Sequence, residues 1–290
     1  MVSAVAHAPG LRVTAADLMA LRDVAPDRGR HRPATRRPGA VPGKPPGAGM
    51  DLREIRAFVE GDDARRIDPA ATARTGQPHI RTFHEDRDDT VLLIADFRPS
   101  MLWGTGPDLR SVRAARALAR RGWRAVARGA AVSAMVVDAH GASSLPFAAG
   151  ANQMGRIAHM LATLHDRALD GPGAGRDVDP GPAVPALTGA LVRAARLAPP
   201  GAEILFATGP DGVAADDEAA LARLARRRRV AIVLPLDPIE IGPPAGAFPI
   251  RFGGAGRVAR LAALDTAALS ARFRTLNVVL QVTADDADAS

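Results

Sequence analysis

The sequence predicts an α/β fold: a central, mostly parallel sheet of about six strands flanked by helices, preceded by a strand and loop extension. Three observations carry this. Thr90 to Asp96 (TVLLIAD) is an almost unbroken apolar run ending in a carboxylate, the pattern of a strand buried on both faces. Further short apolar runs recur at Ala131–Val137, Glu203–Ala207, Val230–Leu236 and Asn277–Val282. Between them lie segments whose apolar residues return every three or four positions, as on a helix. Strands that alternate with helices pair in parallel and are covered on both sides.

Taken in order, residues 14–24 (TAADLMALRDV) place Leu18, Leu21 and Val24 at helical spacing behind Thr14 as N-cap, a short docking helix. Residues 26–49 are rich in Pro, Gly and Arg and read as a flexible linker. Residues 1–49 therefore form a helix-plus-linker unit, 50–89 a charged strand and loop extension, and 90–290 the sheet domain. Within the extension, Leu52, Ile55 and Val59 read as an extended segment. Gly76-Gln77-Pro78 reads as a turn, and His79 to Phe83 as the strand beyond it.

In the sheet domain, residues 110–128 present Val112, Ala115, Ala119, Gly122 and Val126 on one helical face. Arg113, Arg116, Arg120 and Arg124 form a basic stripe beside it, a second surface for acidic partners. Asn152–His165 is a helix with Met154, Ile157, Leu161 and Leu164 on one side. Gly171–Pro185 is a loop, and Thr188–Leu197, Asp216–Arg228 and Thr266–Leu276 are helices. The acidic tail, residues 284–290, is expected to fray.

Composition narrows the chemistry. Hydrophobic residues make up 47% of the 290, enough for a packed core, but aromatics are only 3% and Tyr is absent. That argues against a stacked aromatic platform for nucleic acid. The net charge of +7 comes almost wholly from Arg, interleaved with acids along the chain, as GC-rich codon usage produces. Without cysteine there is no disulfide, thiolate metal site or cysteine nucleophile. No secretory leader pattern opens the chain and no apolar run approaches a membrane span, so a cytoplasmic protein is expected.

Open α/β sheets bind ligands at the carboxyl ends of their strands. After the first core strand this chain reads Asp96-Phe97-Arg98-Pro99-Ser100-Met101. Together, GDDARRID, TARTG, FHEDRD and VLLIADFRPSM resemble the domain of unknown function family 58, specifically over residues 61–101 and diffusely to the end of the chain. The resemblance implies a von Willebrand factor A-like domain that works with MoxR-type AAA+ ATPases. It also implies a Mg²⁺ loop of pattern Asp-x-Ser-x-Ser. Asp96 and Ser100 match that pattern, but Arg98 stands at the first hydroxyl position and brings a fixed positive charge.

A Thr ligand is expected where Pro185 stands, with Thr188 a turn too late. The same family pattern implies an Asp just after the strand EILFA, where this chain has Thr208-Gly209-Pro210, with Asp211 nearby but displaced. Two of the five ligands match. The expectation is a metal-free loop with no cofactor, in which an arginine such as Arg98 holds Asp96. The alternative is a Mg²⁺-dependent binding module using Asp96, Ser100 and Asp211.

The second cluster is Asp62, Asp63, Arg65, Arg66, Asp68 and Arg74, expected to form an ion-pair network pinning the extension to the sheet. Pro69 stands where the family has Trp. His79, His84, His140, His159 and His165 lack metal-ligand spacing and read as surface or capped residues. No phosphate loop or GxSxG motif is present. The function implied is a non-catalytic adaptor that binds a MoxR-type ATPase and a client protein through Asp96, Arg98, Ser100, Thr208 and Asp211.

Overall fold

The structure, a computed structural model, describes residues 10–23, 41–60, 62–87, 89–171, 187–252 and 255–283. It opens with α1 (Ala15–Ala20), capped as expected by Thr14, whose Oγ1 accepts from the Asp17 N–H at 3.1 Å. Next, β1 (Val41–Ala57) pairs antiparallel with β2 (His79–Arg87). This corrects the linker reading for residues 41–49, which belong to β1. A strand with a partner on one side only tolerates proline, and its register breaks between Pro42 and Pro46 and again between Gly47 and Leu52. Residues 26–40 of that linker lie outside the described residues.

Between the hairpin strands sits α2 (Pro69–Thr75), which the sequence reading missed. Its signals are all local. Asp68 caps the Ala71 N–H at 2.8 Å, Pro69 opens the helix, and Gly76 closes it at φ 72°, a conformation that suits glycine.

The core sheet is built from β3 (Thr90–Asp96), β4 (Ala131–Asp138), β5 (Gly141–Ser144), β6 (Ala148–Ala149), β7 (Glu203–Ala207), β8 (Arg229–Pro235) and β11 (Val278–Thr283). Its order is β11-β8-β7-β3-β4-β5, with β6 also on β4. The first five strands of that order are parallel, while β5 and β6 run antiparallel to β4. The helices are α3 (Arg110–Ala127), α4 (Ala151–Asp170), α5 (Leu187–Leu197), α6 (Ala215–Ala225), α7 (Pro238–Ile241) and α8 (Thr266–Thr275). The antiparallel strands, α7 and a hairpin of β9 (Ala247–Phe252) with β10 (Ala255–Arg260) were not foreseen. The loop expected at 171–185 lies, beyond Gly171, outside the described residues.

Side-chain alternation divides the core. From β3, Val91, Leu93 and Ala95 meet α3 and α4, whereas Leu92 and Ile94 join the cluster of α5 and α6 on the other face. The small face read on α3 is real: Val112, Ala115, Ala119 and Gly122 are buried. A Cβ at Gly122 would lie 2.8 Å from the Met154 side chain and 2.9 Å from Leu93, so glycine sets how closely α3 approaches the sheet and α4.

The N-terminal segment folds back over α3 and α4. Leu18 is fully buried, its carbonyl accepts from Trp123 Nε1 at 3.0 Å, and Arg12 pairs with Asp166 at 2.7 Å and Asp170 at 3.0 Å. Those two ion pairs are partly exposed and contribute little; burial of the Leu18 side chain stabilises the segment more. A Leu18→Ala chain should lose about 2 kcal/mol in chemical denaturation, the low end of the large-to-small range because a short terminal helix can settle into the space.

Candidate functional site at the carboxyl end of the sheet

Strand order reverses at β3, whose neighbours are β4 on one side and β7 on the other. The chain after β3 and the chain after β7 therefore part company there, which opens the crevice where α/β sheets place ligands. Asp96 ends β3 at that point and is completely buried. Its Oδ1 accepts from the Arg98 backbone N–H at 3.0 Å and from Arg98 Nε at 2.9 Å. Its Oδ2 accepts from Arg98 Nη2 at 2.6 Å and from Thr208 Oγ1 at 2.6 Å. Arg98 Nη2 also donates to the Gly212 carbonyl at 2.5 Å. Burial works against the Arg98 charge. The hydrogen bonds and charge of Asp96, with a smaller contribution from Asp217, outweigh it and hold the guanidinium pKa above its ordinary value.

This geometry tests the metal alternative. Both Asp96 oxygens are filled by N–H and O–H donors, and the guanidinium occupies the space a cation would need. Ser100 and Asp211 are exposed while Asp96 is sealed. Thr188 is engaged elsewhere, donating from its N–H and its Oγ1 to Asp217 Oδ1, each at 2.7 Å. The position of Pro185 lies outside the described residues. Among the described residues no three His, Cys, Asp or Glu side chains are placed to share a metal ion. A Mg²⁺ ion does not fit the arrangement present.

The same burial corrects the docking reading. Asp96 and Thr208 are fully buried and Arg98 is 6% exposed, so these three shape the site from beneath. Only Ser100 and Asp211 of the five offered contact residues reach the surface.

Above them lies a groove of about 360 Å³ that the sequence reading did not find. Trp103 contributes from the segment after β3, Pro210 and Asp211 from that after β7, and Ile239 and Glu240 from α7 after β8. Residues 261–265 close the far wall. Trp103 is 37% exposed and stacks on the Arg110 guanidinium at 4.4 Å, which in turn donates to Glu240 Oε1 at 2.5 Å.

Asp237 ties these walls together. It is fully buried and accepts from the Thr105 N–H at 2.9 Å, from Thr105 Oγ1, from Arg113 Nη2 at 2.9 Å and from the Ile239 N–H at 3.2 Å. Burial tends to raise its pKa. The Thr105 and Ile239 hydrogen bonds and the Arg113 charge together hold it below the usual carboxylate value. A sequence signal for Asp237 existed: Asp-Pro-Ile-Glu is a capping box with proline at the first helical position.

The remaining candidates separate. In the 62–74 cluster the three carboxylates have separate described partners. Asp62 pairs with Arg56 at 2.7 Å, Asp68 with Arg81 at 2.6 Å, and Asp63 caps a short 3₁₀ turn at the Arg65 N–H. Arg65 and Arg74 are exposed, and Arg66 is half-buried. These described pairs lie within the hairpin region because charges so close in sequence meet their own neighbours first. Among the described residues, Asp89 joins the end of the extension to the sheet domain, paired with Arg128 Nε at 2.6 Å.

On α3, Arg113 is taken up by Asp237 and by the Leu236 carbonyl, and Arg116 by Asp108 at 2.7 Å, so these two arginines of the basic stripe are committed internally. His165 is completely buried, contrary to the surface reading. Its Nε2 lies 2.8 Å from Ser111 Oγ, and both residues are fully buried. No described helix is long and apolar enough to cross a membrane.

Known proteins resemble this chain in part. Uncharacterized proteins of Mycobacterium bovis and Mycobacterium tuberculosis are 43% identical to it over 60 residues, 21% of this chain and 19% of theirs. The match thus spans about a fifth of those relatives' length. Among solved structures, the conserved hypothetical protein BatB from Bacteroides thetaiotaomicron is 17% identical, covering 69% of this chain and 93% of its own at a TM-score of 0.42. An aerotolerance-related membrane protein from Bacteroides fragilis is 15% identical, covering 68% and 92% at a TM-score of 0.38. The model of the family described as protein of unknown function DUF58 matches residues 54–248, from the end of β1 into β9, and the chain belongs to that family.

Proposed function

We propose that this chain is a non-catalytic, protein-binding adaptor that works with a MoxR-type AAA+ ATPase in maturing or remodelling a client complex. The observation that supports it is the groove at the carboxyl end of the sheet. Its walls mix apolar surface (Trp103, Ile239, Leu261) with carboxylates (Asp211, Glu240), and the polar machinery beneath is closed by its own hydrogen bonds. A mixed groove with an exposed aromatic suits a protein segment, which needs an apolar anchor and a polar rim. The ATPase partnership follows from family resemblance.

The test is capture from native extract by the tagged chain, with and without nucleotide. A MoxR-type ATPase is expected among the recovered proteins. Asp211→Arg and Leu261→Asp, both at exposed groove positions, should each cut its recovery by about tenfold, the effect of a repelling charge or a buried one at a contact. Recovery of no such ATPase under either condition would refute the adaptor reading.

A further inference from the structure

We propose that Arg98 is a tethered cation: its guanidinium does for the crevice what a bound metal ion would do, permanently and without regard to divalent concentration. The oxygens that meet it are of the kind that attract a hard cation, one carboxylate and one backbone carbonyl. Asp96 supplies Oδ1 at 2.9 Å and Oδ2 at 2.6 Å, and Gly212 its carbonyl at 2.5 Å, while Thr208 steadies the carboxylate from the far side. A carboxylate and a backbone carbonyl are the donors a hard cation draws together. They come from the two sides of the switch point, β3 and the loop after β7, so the charge stitches the crevice shut across 114 residues of sequence.

Gly212 is shaped for this closure. A Cβ there would fall 1.8 Å from Thr208 Oγ1, so only glycine lets the loop come down onto the guanidinium. A free ion leaves when its concentration falls; a side chain does not. Arg98 is thus a positioning residue that fixes residues 208–213, and with them Asp211 on the groove wall. That last consequence rests on the groove reading; the tethered-cation role does not.

The experiment uses the purified full chain without any partner, so its failure is separate from failure of the ATPase capture. Thermal unfolding and amide exchange of residues 208–213 are measured in EDTA and in millimolar Mn²⁺. The wild type is expected to respond to neither reagent. Arg98→Ser in EDTA should melt roughly 10 °C lower, as expected for breaking a buried pair, and exchange about tenfold faster in that loop. Mn²⁺ should return part of both losses in Arg98→Ser alone.

The proposal is overturned if Arg98→Ser keeps its loop protection in EDTA, if Mn²⁺ restores nothing, or if the wild type responds to Mn²⁺ as the variant does. Should Arg98→Ser not fold, Arg98→Lys and Arg98→Met decide. Lysine keeps a positive charge on the same oxygens and should melt closer to the wild type, whereas equal losses in the two variants overturn the role of charge.

Discussion

Replacing Asp96 with alanine is expected to cost about 3–5 kcal/mol in equilibrium denaturation, the scale of breaking one partner out of a buried ion pair. The loss comes mostly from what the carboxylate leaves behind. Arg98, 6% exposed, would keep only the Gly212 carbonyl as acceptor among the described residues, and the Thr208 hydroxyl, fully buried, would lose the oxygen it donates to. Asp96→Asn should cost less, because an amide oxygen still accepts one or two of those bonds, yet it leaves the guanidinium without a counter-charge.

The informative variant is the pair Asp96→Ala with Arg98→Met. Removing both charges removes the stranded one, so the double variant should be more stable than Asp96→Ala alone, and the two substitutions should couple by more than about 1 kcal/mol. A loss below about 1 kcal/mol for Asp96→Ala, or strict additivity in the double variant, would mean that the pair does not hold the crevice together.

The sheet was legible because its strands are buried on both faces, so each is a short apolar run with little ambiguity; β3 and β7 were read to the residue. The edge elements were not. β5 (GASS) and β6 (AA) are short and built of small residues, and β9 (AFPIRF) and β10 (AGRVAR) are short runs broken by Pro, Gly and Arg, so no period separates them from loops. At the site, Asp96 and its arginine partner could be read because they lie two positions apart. The groove could not. Trp103, Asp211, Glu240 and residues 261–265 come from four separate segments, and only the parallel register of β3, β7 and β8 brings their ends together. His165 failed for another reason. A histidine's fate depends on the helix facing it, and the Ser111 that shelters it lies 54 residues away.

Acidification from neutral pH toward pH 4 is expected to remove about 3 kcal/mol of stability through His165 alone. The ring lies between α4 and α3, edge-on to Phe97 at 5.0 Å, with Nε2 on Ser111 Oγ at 2.8 Å and Nδ1 buried without a partner among the described residues. Burial is the main cause that pushes its pKa down to about 4; Arg12 pushes the same way and Asp166 opposes. An unpaired buried acceptor costs less than an unpaired N–H, so the neutral ring carries its proton on Nε2. Protonation at Nδ1 would bury a charged donor with no acceptor.

The unfolded chain takes up a proton at this imidazole near pH 6.5, while the folded chain waits until about pH 4. Across that window the unfolded state binds more protons, so stability rises with pH and falls on acidification. About 2 kcal/mol of the loss should appear by pH 5, before most carboxylates titrate. Asp237 does not interfere there: its depressed carboxyl contributes above the ordinary carboxylate value and loses that contribution only as pH falls through its lower folded value. His165→Met, of similar volume and without a titrating group, should flatten the slope between pH 6.5 and 5 at a pH-independent cost of about 1 kcal/mol for the unpaired Ser111 hydroxyl. An unchanged slope in His165→Met would place the acid sensitivity in some other group and remove His165 as its source.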